Sequence, residues 1–203
     1  MLKINKKISP YNHYDYNNPK YISIHYVGAQ SSTAKNNATY FYNGDRQASA
    51  HYFVDDNEIW QSVEDNNGSW AVGNTKTEVN NKNSISVEMC CMGANLQVTE
   101  KTENNTIELV KYLMKKYNIQ VDNVRTHYEI TKGAKICPNW SANNWARWKD
   151  FKKKLVEDKK EVILYRGYAN GKQFTDQCTV ENLLKILETQ FKYGYYEIKL
   201  IRC

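Results

Sequence analysis

The sequence predicts an α/β fold, with a central β-sheet carrying helices on its faces and a small β-α-β module after it. Three observations point there. Short β-rich segments and amphipathic helical segments are mixed along the chain. The 203 residues leave room for one full domain and a small second one, at roughly 100–200 residues per domain. Finally, the charged run Asp158-Lys159-Lys160 separates one pattern from a second, compact one. The division is placed there, giving domains 1–157 and 158–203.

Lys20 to Val27 reads as a strand, because Tyr21, Ile22, Ile24, Tyr26 and Val27 are β-formers. Thr33 to Tyr42 reads as a short helix with Thr33 as its N-cap. Ser49 to Val54 and Glu58 to Val63 make two further strands. Asp55-Asp56-Asn57 between them is turn chemistry, so the pair is a hairpin. Asn83 to Cys91 is a fourth strand, in which Ile85, Val87 and Met89 alternate with Ser84, Ser86 and Glu88. Thr102 to Tyr117 is an amphipathic helix with Ile107, Val110, Leu113, Met114 and Tyr117 on one face. A short element spans Val121 to His127, and a second helix runs from Trp145 to Glu157. Beyond the seam, strands at Val162 to Tyr168 and Tyr195 to Ile201 bracket a turn at Asn170-Gly171. They also bracket a helix from Thr179 to Phe191.

Composition removes several classes. Hydrophobic residues at 41% and charged residues at 25% suit a globular chain with a core, not a disordered one. No apolar run approaches the roughly 18 residues of a membrane helix, so no membrane insertion is expected. The basic start Met1 to Lys7 is followed by no apolar stretch of the kind a signal peptide carries. The net charge of +6 is interspersed, with no Lys/Arg block interleaved with aromatics, and nucleic acid is not an expected partner. Five cysteines, two of them the adjacent Cys90 and Cys91, do not look like a disulfide framework. Cys90 and Cys91 read as core residues, and another cysteine is left free to bind metal.

Four histidines occur: His13, His25, His51 and His127. His25 lies on a predicted strand. His127 closes a predicted element and is followed ten residues later by Cys137. Imidazole and thiolate are both good zinc donors, and three protein ligands with an open position make a hydrolytic site. The spacing alone also fits a satisfied strand histidine and a buried small cysteine.

Four ordered segments narrow this. They are Tyr21-Ile22-Ser23-Ile24-His25-Tyr26, then Ala48 to Asp55 with Ile59-Trp60-Gln61, then Asn83 to Glu88, then Thr126-His127-Tyr128-Glu129 with Lys135-Ile136-Cys137-Pro138. Together, over about residues 18 to 155, the chain resembles the zinc-dependent N-acetylmuramoyl-L-alanine amidases of the type-2 amidase and peptidoglycan-recognition-protein superfamily. The resemblance implies a mixed central sheet flanked by helices, a zinc ion held by His25, His127 and Cys137, and Glu88 as the catalytic carboxylate. It also implies Lys135 as the cation that supports the transition state. Glu88 would pass a proton from water to the leaving nitrogen, and Lys135 would face the developing oxyanion. Read from alternation alone, Glu88 is an ordinary solvent-face residue, and Lys135 is plain loop charge.

Three residues are expected near substrate: His51, Trp70 and Asn83. His51 is either a substrate group or a support behind the ligands. Trp70 stands in Gly68 to Gly73, where relatives often carry a histidine, and is either a packing surface for sugar or peptide or a loop anchor. His13 reads as a surface residue.

The expected activity is hydrolysis of the amide between N-acetylmuramic acid and L-alanine in the peptidoglycan of a Gram-positive, low-GC host. The expected setting is a phage or prophage endolysin, held in the host cytoplasm until it is released to the wall. A bacterial autolysin, a muropeptide-recycling amidase and a non-catalytic peptidoglycan-binding module of the same fold are the alternatives. The non-catalytic relatives typically lack the third ligand. Residues 158–203 are expected to bind the wall or to form a homo-oligomer, with Tyr165, Tyr168, Tyr193, Tyr195 and Tyr196 available to stack on sugars.

Overall fold

The structure, a computed structural model, describes residues 1–73, 75–157, 164–169, 172–173, 178–179, 181–182, 184–186 and 198–202. The chain forms two compact units, Met1–Glu157 and Asp158–Cys203.

In the first unit a six-stranded mixed sheet has the order β1-β5-β4-β7-β3-β8. Its strands are β1 (Ile4–Lys6), β3 (Tyr21–Gln30), β4 (Tyr52–Val54), β5 (Ile59–Gln61), β7 (Ser84–Cys91) and β8 (Val124–Thr126). A separate two-stranded ribbon pairs β2 (His13–Tyr14) with β6 (Gly68–Ser69). The hairpin β4-β5 is antiparallel, whereas the pairs β4-β7, β7-β3 and β3-β8 are parallel. The parallel strands therefore end along one edge.

The period-2 pattern sorts side chains between two cores. Ile22, Ile24, Ile85, Val87 and Met89 face one layer, where they meet Leu109, Val110 and Leu113 of α2 (Glu100–Tyr117) and Trp148, Phe151 and Leu155 of α4 (Ala142–Val156). Phe53 and Cys90 face the other side, against Ala34 and Ala38 of α1 (Ala34–Tyr42). Small alanines let that helix lie close to the sheet. Thr33 caps α1 by accepting from the Asn36 N–H, and Thr99 caps α2 in the same way from Thr102.

Two expectations change. The polar side of β7 is not solvated: Ser84 and Ser86 are buried beside the neighbouring strands, so Glu88 is not a solvent-face residue. The second long helix is also not regular from Trp145. Asn143, Asn144 and Trp145 take left-handed φ values of 50°, 54° and 60° before the right-handed turns begin. Paired asparagines tolerate that region better than most residues.

In the second unit β9 (Leu164–Ala169) pairs antiparallel with β10 (Lys172–Gln173), β11 (Cys178–Thr179) and β12 (Ile198–Arg202). β10 and β11 add two short strands to the pair that the sequence predicts. Residues 181–182 and 184–186 are helical. The turn at 170–171 and the segments 162–163 and 195–197 lie outside the described residues, as do Tyr193, Tyr195 and Tyr196. The Tyr168 hydroxyl donates to Gln173 Oε1 at 3.3 Å. Among the described residues, no helix is long and apolar enough to cross a membrane.

Candidate metal centre

Strand register assembles the site. His25 on β3 stands opposite Glu88 on β7, and Ile24 stands opposite Thr126 at the end of β8. The next residue after Thr126 is His127, the first of α3 (His127–Ile130). A capping box holds that short helix: Thr126 Oγ1 accepts from the Glu129 N–H, and the Glu129 carboxylate accepts from the Thr126 N–H. Trp148 Nε1 donates to the same carboxylate at 3.2 Å. The chain then turns back, with the Tyr128 N–H donating to the Cys137 carbonyl at 3.0 Å.

The donor atoms of His25, His127 and Cys137 lie within 4.8 Å of one another, close enough to share one metal ion. Cys137 Sγ is 3.7 Å from His25 Nδ1. The two imidazoles meet edge to face with centroids 4.6 Å apart. Glu88 Oε1 lies 4.0 Å from His25 Nδ1. Two buried atoms here have no hydrogen-bond partner, His25 Nε2 and Glu88 Oε2. Buried polar atoms are normally paired, and Glu88 Oε2 is left without a donor beside the three metal-binding side chains.

The cavity around them has a volume of about 380 Å³ and is lined by His25, Tyr26, Ala71, Glu88, His127, Lys135, Ile136 and Cys137. Its electrostatics follow from burial. Burial drives His25 well below the usual imidazole range, aided by the positive potential of His127 and Lys135. His127 is lowered by burial and then by Lys135. Both imidazoles are thus neutral, the form that ligates metal. Burial pushes the Glu88 carboxyl up to about 8 against the pull of Lys135. Burial and the nearby Glu88 charge push the Cys137 thiol up to about 12. The Tyr26 N–H and Lys135 act on that thiol in the opposite direction.

Five expected residues, His25, Glu88, His127, Lys135 and Cys137, thus meet in one pocket. Three others do not reach it. His51 is fully buried, and its ring is satisfied on both sides: Nδ1 accepts from the Ser86 N–H at 3.0 Å, and Nε2 donates to the Asn67 carbonyl at 2.9 Å. It ties the residue before β4 to β7 and lies outside the pocket lining. Asn83 closes the turn before β7, accepting from the Asn80 N–H and donating to the Glu78 carbonyl. That turn precedes β7, whereas Glu88 lies in the middle of the strand. Trp70 exchanges backbone and side-chain hydrogen bonds with Ser49 and packs 5.9 Å from Tyr14. These contacts fit the loop-anchor reading, and Trp70 is not among the residues that line the pocket.

The same loop nevertheless serves the site through residues that carry no motif. The Val72 carbonyl accepts a hydrogen bond from His127 and orients its ring. Asn81 Oδ1 accepts from the Ala71 and Val72 N–H groups and holds the loop in place. A backbone carbonyl leaves no residue-type signal, so only the fold reveals it.

Comparison with known proteins follows the same residues. The family described as N-acetylmuramoyl-L-alanine amidase matches residues 15–140. The amidase CwlA of Bacillus subtilis (strain 168) is 28% identical over 143 residues, 70% of this chain and 51% of that protein. CwlL of Bacillus licheniformis, also an N-acetylmuramoyl-L-alanine amidase, is 33% identical over 151 residues, covering 67% of this chain and 40% of that protein. The chain therefore spans about half the length of the curated relatives it matches. Among solved structures, PlyL superposes with a TM-score of 0.66 at 32% identity, over 77% of this chain and 98% of PlyL. The catalytic domain of XlyA gives 0.65 at 28%, over 76% of this chain and 99% of that domain.

Proposed function

This chain belongs to the N-acetylmuramoyl-L-alanine amidase family, and from that membership we propose that it is a zinc-dependent peptidoglycan hydrolase. It cuts the amide between N-acetylmuramic acid and L-alanine. The observation that carries the reading is the convergence of two imidazoles, a cysteine sulfur and the Glu88 carboxyl in one pocket.

The donor set suits zinc. With zinc–sulfur and zinc–nitrogen bonds of about 2.3 and 2.05 Å and tetrahedral angles, the two donors stand about 3.6 Å apart. Cys137 Sγ and His25 Nδ1 are 3.7 Å apart. His127 has one ring nitrogen committed to Val72, which leaves the other for the metal. Zinc, when bound, supplies Lewis acidity that polarises the carbonyl and makes water acidic near neutral pH.

The chain's own groups do the rest. Glu88, beside the donors, takes the proton from the attacking water and delivers it to the nitrogen of the leaving amine. Its partnerless Oε2 is free to do so. Lys135 on the pocket lip presents a cation to the oxyanion formed on the acyl carbon. Val72 and the Thr126–Glu129 cap keep His127 in one orientation, so no reorganisation is needed during the reaction.

The test is product analysis on purified cell walls. New alanine amino termini without new reducing ends support an amidase, whereas reducing ends would identify a glycosidase and sink the reading. The finer reading is a phage-type endolysin that waits in the cytosol of a Gram-positive host. It is supported by the likeness to an endolysin from Bacillus subtilis, with a TM-score of 0.65 at 32% identity. Expression inside such a host should cause lysis only after the membrane is permeabilised. Residues 158–203 are assigned to wall retention or self-association. A chain ending at Glu157 should cut soluble muropeptides normally but lose retention on whole walls or its oligomeric state. Unfolding or metal loss on that truncation would reject the assignment.

A further inference from the structure

Eight residues line the cavity, and five of them have chemistry assigned above. The remaining three are Tyr26, Ala71 and Ile136. Ile136 is 58% exposed. Among the described residues of the first unit, the other large aliphatic side chains so exposed are Met1 and Val156, at its two ends. Ile136 sits between Lys135 and Cys137, on a backbone fixed from both sides. The Lys135 N–H donates to Thr131 Oγ1, and the Cys137 N–H donates to the Lys135 carbonyl. Ala71 in the same cavity is fixed by Asn81.

The pocket is lined by donors and charges and also by the apolar Ile136 and Ala71, whose backbone neighbourhoods are hydrogen-bonded. The bond cut under the proposed function has a matching asymmetry. Its polar amide is flanked by two methyl groups, one on the lactyl carbon of the acyl side and one on the alanine of the amine side. We propose that Ile136, together with Ala71, receives a methyl group adjacent to the scissile amide, which makes Ile136 a specificity-determining residue. This rests on the amidase reading. Contact with one methyl is a modest effect, of about fivefold in kcat/KM. It is expressed as discrimination between substrates and not as loss of chemistry.

The experiment compares wild type, Ile136→Ala and Ile136→Val on soluble N-acetylmuramoyl peptides. One arm replaces the alanine by glycine, and the other replaces the lactyl group by glycolyl. Wild type should prefer the methyl-bearing partner in at least one arm. Ile136→Ala should lose about fivefold in kcat/KM on the methyl-bearing substrate and stay within twofold on its counterpart, with Ile136→Val between them. The arm that responds identifies which methyl is received. Metal content should be unchanged, because the exposed side chain can be removed without opening a cavity in the core. An equal loss on every substrate, or no loss on any, overturns the inference. Absence of turnover by wild type on all of them overturns the amidase reading itself, and this inference with it.

Discussion

Asp65 and Glu88 are both carboxylates sunk into the same unit, yet one is complete and the other is not. Asp65 Oδ1 accepts from the Tyr52 hydroxyl at 2.6 Å and from Gln61 Nε2 at 3.0 Å. Its Oδ2 accepts from Lys116 Nζ at 2.8 Å and from the Tyr117 hydroxyl at 2.6 Å. Burial pushes the Asp65 pKa up, but these donors outweigh it and hold the group below the usual carboxylate range. Glu88 has no such donors on Oε2, and burial leaves its pKa raised to about 8. The histidines repeat the contrast. His51 is bonded at both ring nitrogens, and His25 has a partnerless Nε2. Asp65 and His51 join elements of the fold, whereas Glu88 and His25 line the pocket where a metal and a substrate would bind.

Exchanging the roles should therefore give opposite phenotypes. Glu88→Gln should lower turnover by about 10²- to 10⁴-fold while leaving fold and metal content unchanged, since only proton transfer is lost. Steady-state kinetics on muropeptides with parallel metal analysis would show this, and retained activity would move the base role elsewhere. Asp65→Asn should do the reverse. An amide nitrogen would face hydroxyl and ammonium donors, and leaving a buried donor such as the Tyr52 hydroxyl unsatisfied costs about 1–3 kcal/mol. Chemical denaturation should register that loss. The surviving folded fraction should keep its metal and its kcat, and an unaltered midpoint would show that the cluster is dispensable.

A smaller effect concerns acid. Burial lowers the His51 pKa from 6.5 to about 4. Below pH 6.5 the unfolded chain binds a proton that the folded chain refuses, so stability falls as pH drops from 6.5 towards 4. The shift bounds that loss at about 3 kcal/mol. NMR of the His51 ring should place its titration near pH 4, and a midpoint near 6.5 would mean the ring is not held neutral by the fold.

The parts of this architecture that were legible in sequence share a cause. The His25 and Glu88 strands were readable because alternation puts Ile22 and Ile24, or Ile85, Val87 and Met89, on one face. His25 and Glu88 must then lie on the other. Those motifs carried the five pocket residues. The misplaced residues had no such constraint. Whether His51 or Asn83 points into a pocket depends on Ser86, Asn67, Glu78 and Asn80, which alternation does not arrange. The Asp65 cluster draws Tyr52, Gln61, Lys116 and Tyr117 from separate elements across 4 to 52 residues. No local pattern announces it. The left-handed run at Asn143, Asn144 and Trp145 likewise broke a helical pattern that was regular in its apolar residues but not in its backbone.

The contrast stands or falls on whether the unfinished cluster takes up metal. The direct measurement is zinc per chain by mass spectrometry in purified protein after dialysis, for wild type, Cys137→Ser and Asp65→Asn. The account predicts one zinc in wild type, strong depletion in Cys137→Ser because a neutral hydroxyl replaces thiolate poorly, and full occupancy in folded Asp65→Asn. Full zinc in Cys137→Ser, or none in wild type even after zinc is supplied, would contradict it.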